Sequence, residues 1–290
     1  MLVTVWGSYY IANKLALSKY SVVFTGVFIR FVVLITMTIY MVIRKEIDSL
    51  FKTKYVFLKL LLIGFFGFLL DYTAFLGFKF STASKGAILL RSDVIFSNLI
   101  SVILGEKLYF TDFILTIIML VGVFFVSGID FSGLSLNLPD MFFLLSAFFI
   151  SVNAFVIKSI QTHRKNPVSD NVIAFYNNFF TMIFFLIFFA RSFKVEEFKF
   201  LRSDLPTYGL LIASLGQFFI YVVYYYTLRT FPVWLVRAAL LLMPVYVTGF
   251  SFLFLGERLS YLQILGVTMI LLCAWLLIMR STKKEFSYKR

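Results

Sequence analysis

The stretch "KGAILLRSDVIFSNLISVILGEKLYF", Lys85 to Phe110, decides the fold. It is apolar enough to cross a membrane, yet it carries Arg91, Asp93 and Asn98 in its middle and closes on a Gly-Glu turn. Parts of it recur. "LGEKLYF" (Leu104 to Phe110) returns as "LGERLSY" (Leu255 to Tyr261), 151 residues later. At that offset "AILL" (Ala87 to Leu90) faces "AALL" (Ala238 to Leu241), and Val94 faces Val245. The chain therefore reads as two tandem copies of one unit.

Composition says what solvent the unit lives in. The 290 residues are 61% hydrophobic and only 14% charged, and the mean hydropathy is +0.95. Soluble domains are about 45–50% apolar and about 25% charged. The excess runs along the whole chain, which implies a polytopic membrane protein. The net charge of +13 does not point to nucleic acid, because the basic residues gather at the ends of apolar runs, as in cytoplasmic loops. The single cysteine, Cys273, rules out an intrachain disulfide and a cysteine-based zinc site. His163 lies in a basic loop with no metal-ligand neighbours in sequence. No cofactor is expected. "MLVTVWGSYYIANKLAL" has neither the basic start nor the small-residue cleavage site of a signal peptide, so it reads as a first spanning helix.

Ten apolar runs follow one another: 2–18, 22–43, 56–76, 84–104, 110–128, 139–158, 171–190, 207–228, 232–254 and 260–279. Each can cross a core about 30 Å thick at about 1.5 Å per residue. No alternating pattern argues for a barrel, so the fold class is all-α with ten transmembrane helices. The expected divisions are a first repeat over 1–128, a linker over 129–138, a second repeat over 139–280 and a basic tail over 281–290. Five spans per half is an odd number, so the halves lie in the membrane with opposite orientation. With both termini cytoplasmic, fifteen loop and tail Lys and Arg lie inside and seven outside, the bias of the positive-inside rule.

These features resemble a known family. "WGSYYIANKLAL" in span one, Arg30 in span two, the two "LGE[KR]L" turns and the segment Leu240 to Leu277 are similar to EamA-type members of the drug/metabolite transporter superfamily. The resemblance implies a ten-helix, 5+5 inverted-repeat transporter of small metabolites that works by alternating access. It also implies a proline in the middle of span four, as Pro244 is in span nine; this chain has Asp93 there.

A charge at the centre of a span costs about 2.5–3.5 kcal/mol on insertion scales if it faces lipid. Arg91 and Asp93 are two residues apart on a helix and cannot face each other. Depth counted from span ends predicts the pairs Asp71–Arg91 and Asp93–Arg30. Two readings fit: ion pairs that fix helix packing, or a polar central cavity that binds substrate or a coupling proton. Lys14 and Lys85 lie near span ends, where lysines snorkel; Lys14 also occupies the basic position of the family's first-span motif. Arg237 is read as reaching the cytoplasmic surface or as joining the site. Gln217, Tyr221 and Tyr225 (or Tyr224) share a helix face, Gln217 and Tyr221 as cavity candidates and the tyrosines nearer the span end as interface anchors. Asn153, Asn177 and Asn178 are polar groups in apolar spans, suited to bonding between helices, with Asn153 and Asn177 also candidates for the cavity. Gly64, Gly67 and Gly122, with Ser127, are read as sites of close helix approach, and Glu106 and Glu257 as caps in the paired turns.

The expected function is a secondary transporter of an amino acid, nucleoside-like or amphipathic compound across the cell membrane. No Walker sequence is present, so a proton or an exchanged solute supplies the energy. Asp93 is the candidate proton site. A membrane enzyme is disfavoured, since no cluster of His, Cys, Asp or Glu marks an interface. A lipid-flipping or structural protein is the alternative.

Overall fold

The computed structural model describes residues 2–81, 86, 88–105, 109–126, 138–163, 167–190, 192–243, 245 and 260–288. These residues are helical or lie in connecting turns. The first half contains α1 (Leu2–Leu17), α2 (Val22–Ile43), α3 (Phe57–Phe80), α4 (Asp93–Ile103) and α5 (Phe110–Val126). The second contains α6 (Leu138–Gln161), α7 (Asp170–Phe189), α8 (Leu205–Thr230), α9 (Val233–Ala239) and α10 (Tyr261–Tyr288). Five stretches, Val22–Ile43, Lys54–Phe80, Leu138–Gln161, Asp170–Phe189 and Leu205–Thr230, are long and apolar enough to cross a membrane.

Helix ends follow local chemistry. Ser21 and Ser169 cap α2 and α7, accepting from Phe24 N at 3.1 Å and Val172 N at 3.4 Å. Asp204 caps α8 and accepts from Thr207 N at 3.0 Å, with Pro206 just inside, where its missing N–H costs nothing. α2 stops in a Schellman turn. Lys45 adopts φ +56°, its N–H reaches Val42 O, and Glu46 N reaches Met41 O. Gly105, at φ +73°, turns the chain after α4, which gives the first Gly-Glu motif its glycine. Glu106, Glu257 and Ser127 lie outside the described residues.

The surface is inverted relative to a soluble protein. Phe31, Ile35 and Ile39 form an exposed apolar stripe on α2, while Arg30, Asp71, Arg91, Asp93 and Arg237 are buried. That arrangement is stable only where the outer solvent is lipid.

The helices pack in exchanged pairs. α1 runs along α8 as α3 runs along α6. α2 packs on α8 as α3 packs on α7, and α2, α4 and α5 meet their own counterparts α7, α9 and α10. First meets third, third meets first, and second, fourth and fifth meet themselves: the pattern of a two-fold axis between the halves. Lys19, just past the end of α1, binds Asp204 at the start of α8. Gln161, the last residue of α6, binds Tyr225 O near the end of α8. The first helices of the two halves therefore point in opposite directions.

Glycines set the closest approaches. A Cβ on Gly64 would overlap Phe180 of α7, and one on Gly67 would lie 2.5 Å from Asn177 Oδ1 and Thr181 Oγ1. Gly122 of α5 meets Gly266 of α10, whose Cβ would lie 2.6 Å from Gly122 O. The first core joins α1, α2, α3, α6, α7 and α8; a second joins α4, α5, α9 and α10 around Val94, Met119, Trp234 and Cys273.

Spans four and nine are not continuous α-helices. A 3-10 turn at Leu90–Ser92 precedes α4, and one at Leu240–Leu242 follows α9. At the repeat offset these breaks overlap. The second precedes Pro244, which has no N–H for the carbonyl four residues back. The first has no proline. There Arg91 is drawn towards Tyr10 of α1, and Ser151 Oγ of α6 binds the Asp93 carbonyl at 2.8 Å.

Candidate functional site

A cavity of about 80 Å³ lies between α1, α3, α6 and α8, the four helices of the exchanged pairs. That is room for a few waters or part of a small solute. Both halves line it: Tyr9, Tyr10 and Asp71 from the first, Asn153, Tyr221 and Arg237 from the second.

Arg30, on α2, is the hub of one charged group. Its Nη2 donates to Asp71 Oδ2 on α3. Its Nη1 donates to Asn178 Oδ1 at 2.8 Å and to Tyr221 OH at 2.5 Å. The guanidinium also lies 5.6 Å from the Tyr221 ring centroid. Next to it, Asn177 Nδ2 donates to Tyr225 OH at 2.6 Å.

Arg237, on α9, is the hub of the other. Its Nη1 donates to Asp93 Oδ2 of the first half at 3.1 Å. Its Nη2 donates to Tyr224 OH and to Ile150 O, and it lies 4.9 Å from the Tyr224 ring. Arg91 donates from Nη2 to Tyr10 OH at 2.6 Å. Each buried guanidinium thus has one tyrosine, as hydroxyl acceptor and as π-face.

The balance is uneven. Three buried guanidiniums face two carboxylates. Among the described residues, Arg91 Nε and Nη1, Arg237 Nε and Asp93 Oδ1 have no hydrogen-bond partner. Buried polar groups are nearly always paired, so these atoms are donors and acceptors that water or a solute would satisfy.

The expected pairs Asp71–Arg91 and Asp93–Arg30 are corrected: Asp71 pairs with Arg30 and Asp93 with Arg237. α3 runs to Phe80, four residues past the expected end, so Asp71 lies deeper and level with Arg30. Arg91, at the break before α4, donates instead to Tyr10 of α1. Arg237 does not reach the surface; it is 2% exposed because Asp93 holds it inside. Tyr224 and Tyr225 are not interface anchors; α8 continues to Thr230, and both are buried, while Tyr226 is exposed.

Of the sequence candidates, the structure brings Arg30, Asp71, Arg237, Gln217, Tyr221, Asn153 and Asn177 to the cavity wall. Arg91 and Asp93 are fully buried beside it, joined to it through Tyr10 and Arg237. Lys14 is not on the wall; its Nζ binds carbonyls at the end of α3. Lys85 lies outside the described residues. Sequence reasoning missed Trp6, Tyr9 and Tyr10. Their i, i+3, i+4 spacing marks one helix face, the signal that could have found them.

No curated protein matches the chain. A crystal structure described only as "Crystal structure of protein" superposes with a TM-score of 0.71 at 14% identity, over 98% of this chain and 96% of the other; that likeness concerns the fold alone. The EamA-like transporter family matches twice, over residues 1–128 and 137–279. The chain is an integral membrane protein and belongs to the EamA-like transporter family.

Proposed function

We propose that the chain is a secondary transporter that carries a small solute bearing an anionic group through the cavity between its two inverted five-helix halves. The family suggests a transporter of small solutes. The observation that carries the finer reading is the surplus guanidinium: Arg30, Arg91 and Arg237 against Asp71 and Asp93, all buried. A carboxylate or similar anion arriving there offsets the unpaired positive charge and supplies acceptors for donors that lack them. The tyrosines and Trp6 offer aromatic faces to the rest of the solute.

In this reading the chain crosses the cell membrane ten times with both termini in the cytoplasm, and works by alternating access. A proton or an exchanged solute supplies the energy. Asp93 is the proton site. It faces Arg237 from α9, Arg91 from its own span, Tyr224 from α8 and Tyr10 from α1. Proteoliposome uptake of a panel of carboxylates, amino acids, nucleosides and organic cations tests the reading. Saturable uptake of an anionic or zwitterionic compound, lost in Arg237→Gln, supports it. Uptake of cations alone contradicts the charge argument, and uptake of nothing soluble turns the account towards lipid.

A further inference from the structure

Two lysines bind the C-terminal carbonyls of α3 and α8 in the same way. Lys14 lies three residues before the end of α1, and Lys158 three residues before the end of α6. Lys14 Nζ donates to Phe78 O and Ser81 O, each at 2.6 Å. Lys158 Nζ donates to Leu228 O, to Arg229 O at 3.1 Å and to Phe231 O at 2.9 Å. Ser81 and Phe231 are the C-caps of α3 and α8. Phe78 and Leu228 lie three residues before them, so both acceptors recur at an offset of 150 residues. The last carbonyls of a helix have no intrahelical partner and carry the negative end of its dipole. An ammonium with three donors satisfies them.

The two contacts lie at opposite ends of the bundle. The start of α8 is bound by Lys19 and Tyr20, which follow α1; Lys158 binds the other end of that 26-residue helix, about 39 Å away at about 1.5 Å per residue. The cavity lies between, with Phe78 and Ile157 on its wall. Because α1 packs on α8 and α3 on α6, each lysine ties one exchanged pair to the other, Lys14 at one end and Lys158 at the other.

We propose that Lys14 and Lys158 are the two gate latches of the transport cycle. Rocking of the α1–α8 pair against the α3–α6 pair breaks one latch while the other holds, and opens the cavity to one face at a time. With both made, the two helix pairs are held together at both ends. This inference rests on the alternating-access reading and assigns its moving parts.

Cysteine accessibility tests it without transport. Ala74 lines the cavity, and an Ala74→Cys, Cys273→Ser chain in sealed vesicles offers one thiol to a membrane-impermeant maleimide added from either face. Lys14→Gln is expected to raise the labelling rate from the face at the end of α1 by about tenfold, equivalent to ~1.4 kcal/mol of closed-state stabilisation. Lys158→Gln is expected to do so from the opposite face. Lys14→Arg, which keeps charge and donors, stays near the parent rate. Either lysine tests the idea alone should one variant fail to fold. Labelling that rises from one common face, or that neither substitution changes, overturns the latches; unchanged labelling with intact uptake does so while leaving the transporter reading in place.

Discussion

Asp93 of the first half and Arg237 of the second form a buried ion pair at 3.1 Å across the junction of the repeats. At the repeat offset Asp93 stands opposite Pro244, and Arg237 opposite Gly86. Neither charge is part of the duplicated plan. Each half has acquired one ion where its twin has none, and the two meet beside the cavity.

Asp93→Asn therefore leaves Arg237 without a carboxylate. Removing one member of a buried pair costs about 3–5 kcal/mol, so the thermal midpoint in detergent falls. If Asp93 carries the coupling proton, the variant also loses any pH dependence of uptake while keeping substrate binding. Unchanged pH dependence in proteoliposomes would contradict that role.

Arg30 and Asp71 behave as a unit. Arg30→Gln and Asp71→Asn each lose about 3–5 kcal/mol, but the double variant loses less than their sum, since neither charge is then left alone. Chemical denaturation of the four proteins gives the coupling. Additive losses would mean that the pair is not the interaction that matters.

Helix spacing is tested at Gly64. A methyl group there meets Phe180 and forces α3 from α7. Gly64→Ala is expected to cost about 1–3 kcal/mol, as overpacking does, and Phe180→Leu is expected not to relieve it, because the contact is with the Phe180 Cβ and backbone, which leucine keeps. Full stability of the single variant would show that the helices are less closely apposed.

The surface contact of Lys19 with Asp204 predicts a pH effect of known sign. The Lys19 ammonium at 2.5 Å, with the Thr207 bonds, holds the Asp204 carboxyl down at about 2. A carboxyl held below its unfolded value, about 3.9, stabilises the fold above that value and loses the contribution as pH falls towards 2. The thermal midpoints of the parent and Asp204→Asn are expected to differ at neutral pH and to converge in acid. The site is exposed, so the difference is small. A constant difference down to pH 3 and below would remove Asp204 from the account.

Much of this was legible in the sequence. The duplicated "LGE" turns, the apolar runs and the odd number per half led to paired halves, because lipid leaves the backbone little choice but helices. Six cavity residues could be named because an ion or amide in an apolar span is costly enough to need a reason, and Tyr221 because it shares a helix face with Gln217. Partners were not legible. Pairing Asp71 with Arg30 rather than Arg91 depends on four extra residues of α3 and on a 3-10 break, and span arithmetic sees neither. The aromatic wall of Trp6, Tyr9 and Tyr10 was hidden because such residues belong equally to membrane interfaces.

The most direct test of the central claim is thermal stabilisation of the purified chain by soluble carboxylates, amino acids, nucleosides and organic cations, in parent and Arg237→Gln proteins. A compound that binds the folded state raises its stability by RT ln(1 + [L]/Kd), about 2.7 kcal/mol at a hundredfold excess over Kd. The account predicts that at least one anionic or zwitterionic compound raises the parent's midpoint and leaves that of Arg237→Gln unchanged. No shift from any anion, or equal shifts in both proteins, would contradict it.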